Sequence, residues 1–298
     1  MSFNLIYRFL SILKIGATPS TFAYPIPLAS FVAFSLSGSG VENFIISFVF
    51  CFLFITSINL WNHLNDLEDD IKAGRSCAAF IADNKKAVFS VVVIFYTLST
   101  LWIVLFTKDL AVLSVYLVCA FLTWIYSDKF LVGKRIKRLK EWYVTELLTY
   151  LIVSPSFFIV LWSFFSPLSE KGFAFSLVLS IFYLSGMFLK DIKDASADLS
   201  SGYRTLAVIY EPVFLLKLSI FLNIIGIFLI LILSLFGTFP LICAFSSSTL
   251  IILVYVVKTL RQTNWSLSED IINVLRLHPL TYIVTLSLLG ALGAISSL

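Results

Sequence analysis

Charge is what this sequence has least of. Of its 298 residues only 13% are Asp, Glu, Lys or Arg, against 59% hydrophobic, and the mean hydropathy is +0.99. A soluble domain carries about 25% charged and roughly 45–50% apolar residues, and no soluble core of this length needs 30 Phe. A soluble protein is excluded. Histidine is rarer still. His63 and His278 are the only two, distant and in no ligand spacing, and both read as structural. The four cysteines, at 51, 77, 119 and 243, are far apart, and three lie in apolar runs. They read as packing residues, not as a disulfide framework or a metal cluster. Residues 1–14 lack the charged start, short apolar core and small-residue site of a cleavable leader in that order.

What the sequence has is long apolar runs. A helix crossing a bilayer needs about 20 predominantly apolar residues. On that ruler nine segments qualify: 15–37, 43–63, 86–106, 109–127, 143–165, 172–191, 212–236, 239–258 and 277–297. Turn-forming breaks separate them, such as Ser-Gly-Ser-Gly at 37–40 and Gly-Thr-Phe-Pro at 237–240. The expected fold is an all-α, polytopic membrane protein of nine transmembrane helices in a single domain, with the lipid bilayer as its first partner.

Basic residues orient the bundle. Of 21 Lys and Arg, only Lys108 and Lys171 fall in connections on the face that holds 37–42 and 237–240. The other 19 lie near the N-terminus, in 64–86, 128–142, 190–211 and 258–276, or at adjoining helix ends. The positive-inside rule makes those segments cytoplasmic. The chain is then expected in the cell membrane, multi-pass, with its N-terminus in the cytoplasm. This asymmetry accounts for the net charge of +4, so no nucleic-acid partner is needed.

The acids are gathered. Seven of 17 form two groups, Asp66, Glu68, Asp69 and Asp70, then Asp191, Asp194 and Asp198. The groups end the second and sixth expected helices, and Asp66 and Asp194 are 128 positions apart. That spacing suggests two four-helix halves, roughly 1–141 and 142–276, around a central cavity, with 277–297 as a ninth helix. Asn62, Asp66 and Asp70 are four apart and form one helical stripe; Asp194 and Asp198 repeat the relation. Glu68 and Asp69 fall off that stripe and read as solvated.

One acidic loop after a membrane helix reads equally well as a solvated cap. Two, matched in position and spacing, ask for compensation, because like charges at i and i+4 repel and ionised carboxylates at a membrane boundary are costly. The simplest compensation is a hard divalent cation. Mg²⁺ takes one or two carboxylates and fills its other positions with water and substrate phosphate. Lys72 and Arg75 follow the first group, and Lys193 and Arg204 flank the second. Metal-holding acids with cations nearby describe a diphosphate site. The basic run in 128–140 reads chiefly as headgroup anchoring, with a share in phosphate binding open to one or two of its members.

The first group reads Asn62-x3-Asp66-x3-Asp70-x4-Arg75. The second reads "DIKDASADLSSGYRTLAV", with Asp191, Asp194, Asp198, Gly202, Thr205, Leu206 and Ala207 in place. Together, on helices two and six of nine, these motifs resemble those of the UbiA superfamily of intramembrane prenyltransferases, over essentially the whole chain. A Tyr126-Ser127 pair ending the fourth helix recurs in that family. The loop that follows lacks the prolines many members carry. The resemblance implies transfer of a polyisoprenyl group from its diphosphate, geranyl to geranylgeranyl or longer, to a lipophilic acceptor, commonly an aromatic ring. It implies two Mg²⁺ ions held by Asn62, Asp66, Asp70, Asp191, Asp194 and Asp198, the four aspartates at 66, 70, 194 and 198 being catalytic. Arg75, Lys190 and Lys193 are then expected at the diphosphate, and Tyr126 and Ser127 in the substrate cavity. The rival from another class is a cation-coupled transporter with acidic ion sites. Transporter acids tend to lie near the midplane, whereas these lie at helix ends.

Overall fold

The structure is a computed structural model that describes residues 2–18, 26–72, 74–130, 133, 137–267 and 272–297, with backbone alone at 2–5, 193, 194, 197 and 272. Helices account for nearly all of it. They are α1 Ser2–Gly16, α2 Ile26–Ser37, α3 Val41–Asn65, α4 Leu67–Lys72, α5 Ala78–Asp83, α6 Lys85–Phe106, α7 Leu110–Ser127, α8 Tyr143–Ser163, α9 Glu170–Ser200, α10 Leu206–Ile209, α11 Pro212–Leu235, α12 Leu250–Gln262 and α13 Ile272–Ser297. A short 3₁₀ segment, Leu139–Glu141, precedes α8, and a longer one, Leu241–Thr249, runs into α12.

Among the described residues, eight helical segments are long and apolar enough to cross a membrane, including Glu170–Ile192 of α9 and Leu241–Gln262 as one unit. They coincide with the second to ninth expected spans. The first, 15–37, is not one helix: α1 ends at Gly16, and α2 is a 12-residue apolar helix that starts beside Pro27. Proline is tolerated at such a position because the first turn's N–H groups have no helical partner.

Packing follows chain order and then closes. α3 lies on α6, α6 on α7, α7 on α8, α8 on α9 and α9 on α11. The 241–249 segment packs against α11 and α13, and α13 meets α2, which returns to α3. The elements form a ring. Its interior is filled with aromatic rings. Phe50 stacks on Phe54 at 5.7 Å, Phe54 meets Tyr116 at 5.3 Å, and Phe157 meets Phe158 at 5.3 Å. Such contacts are worth about 0.5–1.5 kcal/mol each beyond area burial. His278 is buried between α11 and α13, its Nε2 2.7 Å from the Ser219 hydroxyl, an interhelical polar contact of the kind that ties membrane helices together. All four cysteines are free thiols, and Cys51, Cys119 and Cys243 are buried.

Candidate functional site

The apolar run of α3 stops where the acids begin. Asp66 caps the helix with φ −93° and ψ 5°, and α4 restarts at Leu67. The hydrogen bonds Asp66 N–H to Asn62 O (2.9 Å) and Asp70 N–H to Asp66 O (2.8 Å) span this bend. The three positions therefore keep their register while the side chains beyond Asp66 are re-aimed. Asn62, Asp66, Asp69 and Asp70 all line one cavity of about 610 Å³, and Asp191 and Asp198 of α9 line it too. Two clusters 128 positions apart in sequence thus share one space. The side chains of Lys193 and Asp194 lie outside the described residues, as do Lys134 and Arg135.

The re-aiming corrects one expectation. Asp69, expected in solvent, lines the cavity and accepts a hydrogen bond from the Tyr203 hydroxyl at 2.6 Å. The reason is the bend at Asp66, which carries the chain into α4 and brings Asp69 within reach of Tyr203. Glu68 does face water, paired with Lys129 at 2.9 Å.

Each acid of the first group has cationic company. Arg138, almost fully buried, donates from Nη1 to Asp66 (2.8 Å) and from Nε to Glu141, bonds the Tyr203 hydroxyl, and lies 3.7 Å from Asp69. Lys140 donates to both oxygens of Asp66. Buried Asp70 is 3.1 Å from Arg75 and 3.1 Å from His63 Nδ1. His63, expected to be structural, therefore touches a site carboxylate and lines the cavity. Burial alone would raise the pKa of Asp66, but Lys140 and Arg138 outweigh it and hold the carboxyl below the usual range. Burial likewise opposes the charge of Arg138, and Glu141 and Asp66 overcome it. For Lys140 burial wins, and its pKa falls despite Asp66.

The second wall is set by a backbone clasp. After α9, Gly202 adopts φ +75°, a left-handed conformation that suits glycine, and turns the chain back. Tyr143 N–H then bonds Arg204 O at 2.8 Å, and Arg204 N–H bonds Glu141 O at 2.9 Å. Thr205 donates to Asp198 at 2.9 Å, and the adjacent Leu206 N–H bonds buried Glu146 at 3.0 Å. Tyr150 donates to Glu146 at 3.3 Å and lies 2.9 Å, hydroxyl to hydroxyl, from Tyr126. Tyr126 and Lys190 line the cavity, as does Arg75. Ser127 is buried and donates to Asn62 Oδ1 at 2.6 Å.

Among the described residues, no three His, Cys, Asp or Glu side chains converge closely enough to hold an ion unaided. The donor set is nonetheless carboxylate and amide oxygen throughout. That suits Mg²⁺, which needs only one or two carboxylates and keeps water and phosphate as its other ligands. Sequence reasoning did not single out Arg138, Lys140, Glu146 or Tyr203. Glu146 carried a usable signal, because an ionisable residue inside an apolar span marks a functional position.

No protein-family model matches the chain. An uncharacterized protein of Archaeoglobus fulgidus is 45% identical over 279 residues, covering 91% of this chain and 94% of its own length. Among solved structures, a digeranylgeranylglyceryl phosphate synthase superposes with a TM-score of 0.71 at 13% identity, over 97% of this chain and 99% of that one. A UbiA homolog from Archaeoglobus fulgidus bound to GPP and Mg²⁺ gives 0.64 at 14% identity, over 96% and 99%.

Proposed function

We infer that this chain, which belongs to one family with the Archaeoglobus fulgidus protein and has the fold of the UbiA superfamily, is an Mg²⁺-dependent intramembrane prenyltransferase. It moves a polyisoprenyl group from its diphosphate to a lipophilic acceptor, aromatic or otherwise, and releases diphosphate. The observation that carries this reading is the convergence of both acidic motifs on one cavity at one end of a membrane bundle. A UbiA homolog of the same fold holding GPP and Mg²⁺ supports it.

In this reading Asn62, Asp66 and Asp70 hold metal on one wall, and Asp191, Asp194 and Asp198 on the other. Bound there, Mg²⁺ supplies Lewis-acid neutralisation of the leaving diphosphate. The chain's own residues do the rest. Arg75, Lys190 and Lys193 donate charge-assisted hydrogen bonds to phosphate oxygens, where the leaving charge develops. Lys140, which lines the cavity beside Asp66, would join them, and Arg138 behind it holds Asp66 and Tyr203 in place. Ser127 fixes the Asn62 amide through its oxygen. Thr205 fixes Asp198. Tyr126 and Tyr150 line the cavity and would offer their rings to the allylic cation. The chain sits in the cell membrane with the N-terminus and the acidic site on the cytoplasmic side, and its two halves, roughly 1–141 and 142–276, supply one motif each.

The test is direct. Asp66→Ala, Asp70→Ala, Asp194→Ala and Asp198→Ala each abolish Mg²⁺-dependent turnover of a labelled prenyl diphosphate with an acceptor panel, while the protein remains folded and extractable. Full activity in any two overturns the metal assignment.

A further inference from the structure

A second cavity, of about 470 Å³, lies on the outer side of the acidic end, between α3, α6 and α7. It is separate from the diphosphate cavity, and the last turn of α3 divides them. Asn62 and Asp66 face the inner cavity; Trp61, Leu64 and Asn65 face this outer one. Its floor is aromatic. Trp61 stacks on Trp124 at 4.0 Å and meets Phe89 at 6.2 Å and Phe130 at 6.1 Å, the two phenylalanines being about half exposed. Its rim is cationic: Lys85 and Lys86, exposed on the first turn of α6, and Lys129. Glu68 is the one acid in its wall, and Lys129 already pairs with it.

We propose that this groove binds an anionic phospholipid, with acyl chain on Phe89, Phe130 and the exposed part of Trp124, which buried Trp61 backs, and phosphate at Lys85 and Lys86. Charge and place select this occupant. Three lysines against one paired glutamate leave the rim net positive, and the first turn of α6 adds unpaired N–H groups and the positive end of its dipole. An aromatic surface meeting lysines at the end of membrane helices matches the chemistry of the bilayer boundary, where ring and headgroup meet. A soluble anion has no use for the apolar floor, and a zwitterionic lipid adds little to the lysines. Because the groove backs onto the turn bearing Asn62 and Asp66, an occupant braces the segment that carries the first acidic motif.

The experiment measures the Tm of purified full-length protein in mixed micelles carrying phosphatidylglycerol or phosphatidylcholine. A ligand that binds only the folded chain raises Tm with its concentration. Phosphatidylglycerol is expected to raise Tm above the phosphatidylcholine value, and the triple variant Lys85→Gln, Lys86→Gln, Lys129→Gln to lose more than half of that difference. The matching triple Lys→Arg variant keeps it. Glu68→Gln, which removes the only opposing charge, enlarges it. Should the triple Gln variant fail to fold, the double Lys85→Gln, Lys86→Gln, confined to exposed positions, serves the same comparison. A full phosphatidylglycerol difference in the Gln variants overturns the proposal. So does an equal rise with inorganic phosphate alone, which would make the groove a simple anion site.

Discussion

At the residue scale the site is a problem of charge compensation, and Arg138 and Lys140 solve it differently. For Asp66 the folded pKa lies below the unfolded value of about 3.9, so its ionisation stabilises the fold above that pH and the contribution is lost as pH falls through the folded pKa. The metal-free protein therefore keeps these contacts from neutral pH down to about pH 4, and a Tm–pH scan should show their loss only below that. For Lys140 the sign is reversed. Its folded pKa is lowered by burial, so its charge costs stability below that pKa, and the cost is relieved only as pH rises through it. The contact favours the charge of both partners, but for Lys140 burial outweighs it, since Lys140 has one carboxylate where Arg138 has several partners. Arg138→Met is expected to destabilise the metal-free protein by about 3 kcal/mol or more, because it leaves buried acids unpaired. Lys140→Met should cost less of that Tm than Arg138→Met, because Arg138 still pairs Asp66 and losing the Lys140 charge removes its own burial cost. It should also weaken prenyl diphosphate binding. Equal loss of Tm in both variants would contradict this division.

At the scale of elements, placement depends on where helices stop. Gly202 has open space at its Cβ position, so alanine there meets no clash and costs only the left-handed backbone, about 1–2 kcal/mol. Gly38, at φ +68° and equally open, is the control. Both Ala variants should lose similar stability by denaturant midpoint. Only Gly202→Ala should also lose turnover, because the turn after it brings Tyr203 to Asp69 and Thr205 to Asp198. A silent Gly202→Ala would mean that the clasp does not set the site. The i, i+4 repeats at 62, 66 and 70 and at 194 and 198 were legible because helical periodicity is local. Spans 43–63 to 277–297 were legible for the same reason. Asp69 was not, since the bend at Asp66 that brings it to Tyr203 is a helix end that no periodicity records. Nor were Arg138 and Lys140: which members of a basic loop turn inward is fixed by Asp66, more than 70 residues away. The first span misled because its apolar composition continues where α1 and α2 are separate elements.

At the scale of the whole molecule, the described residues place the polar cavity at one end of the ring, on the side where the basic connections gather. A prenyl diphosphate has one end in each phase, so a mouth at the membrane boundary lets the charged head enter from water while the tail stays in apolar surroundings. Which water it faces is decided by orientation, and the chain carries its own reporter. Cys51, Cys119 and Cys243 are buried within the bundle, whereas Cys77, between α4 and α5 beside the cavity-lining Arg75, is partly exposed. A membrane-impermeant maleimide added to intact cells should leave the protein unlabelled. The same reagent added to inside-out vesicles should label it at one position, and Cys77→Ser should abolish that labelling. Labelling of Cys77 in intact cells would reverse the bundle and place the acidic site outside, where a cytoplasmic pool of prenyl diphosphate could not reach it.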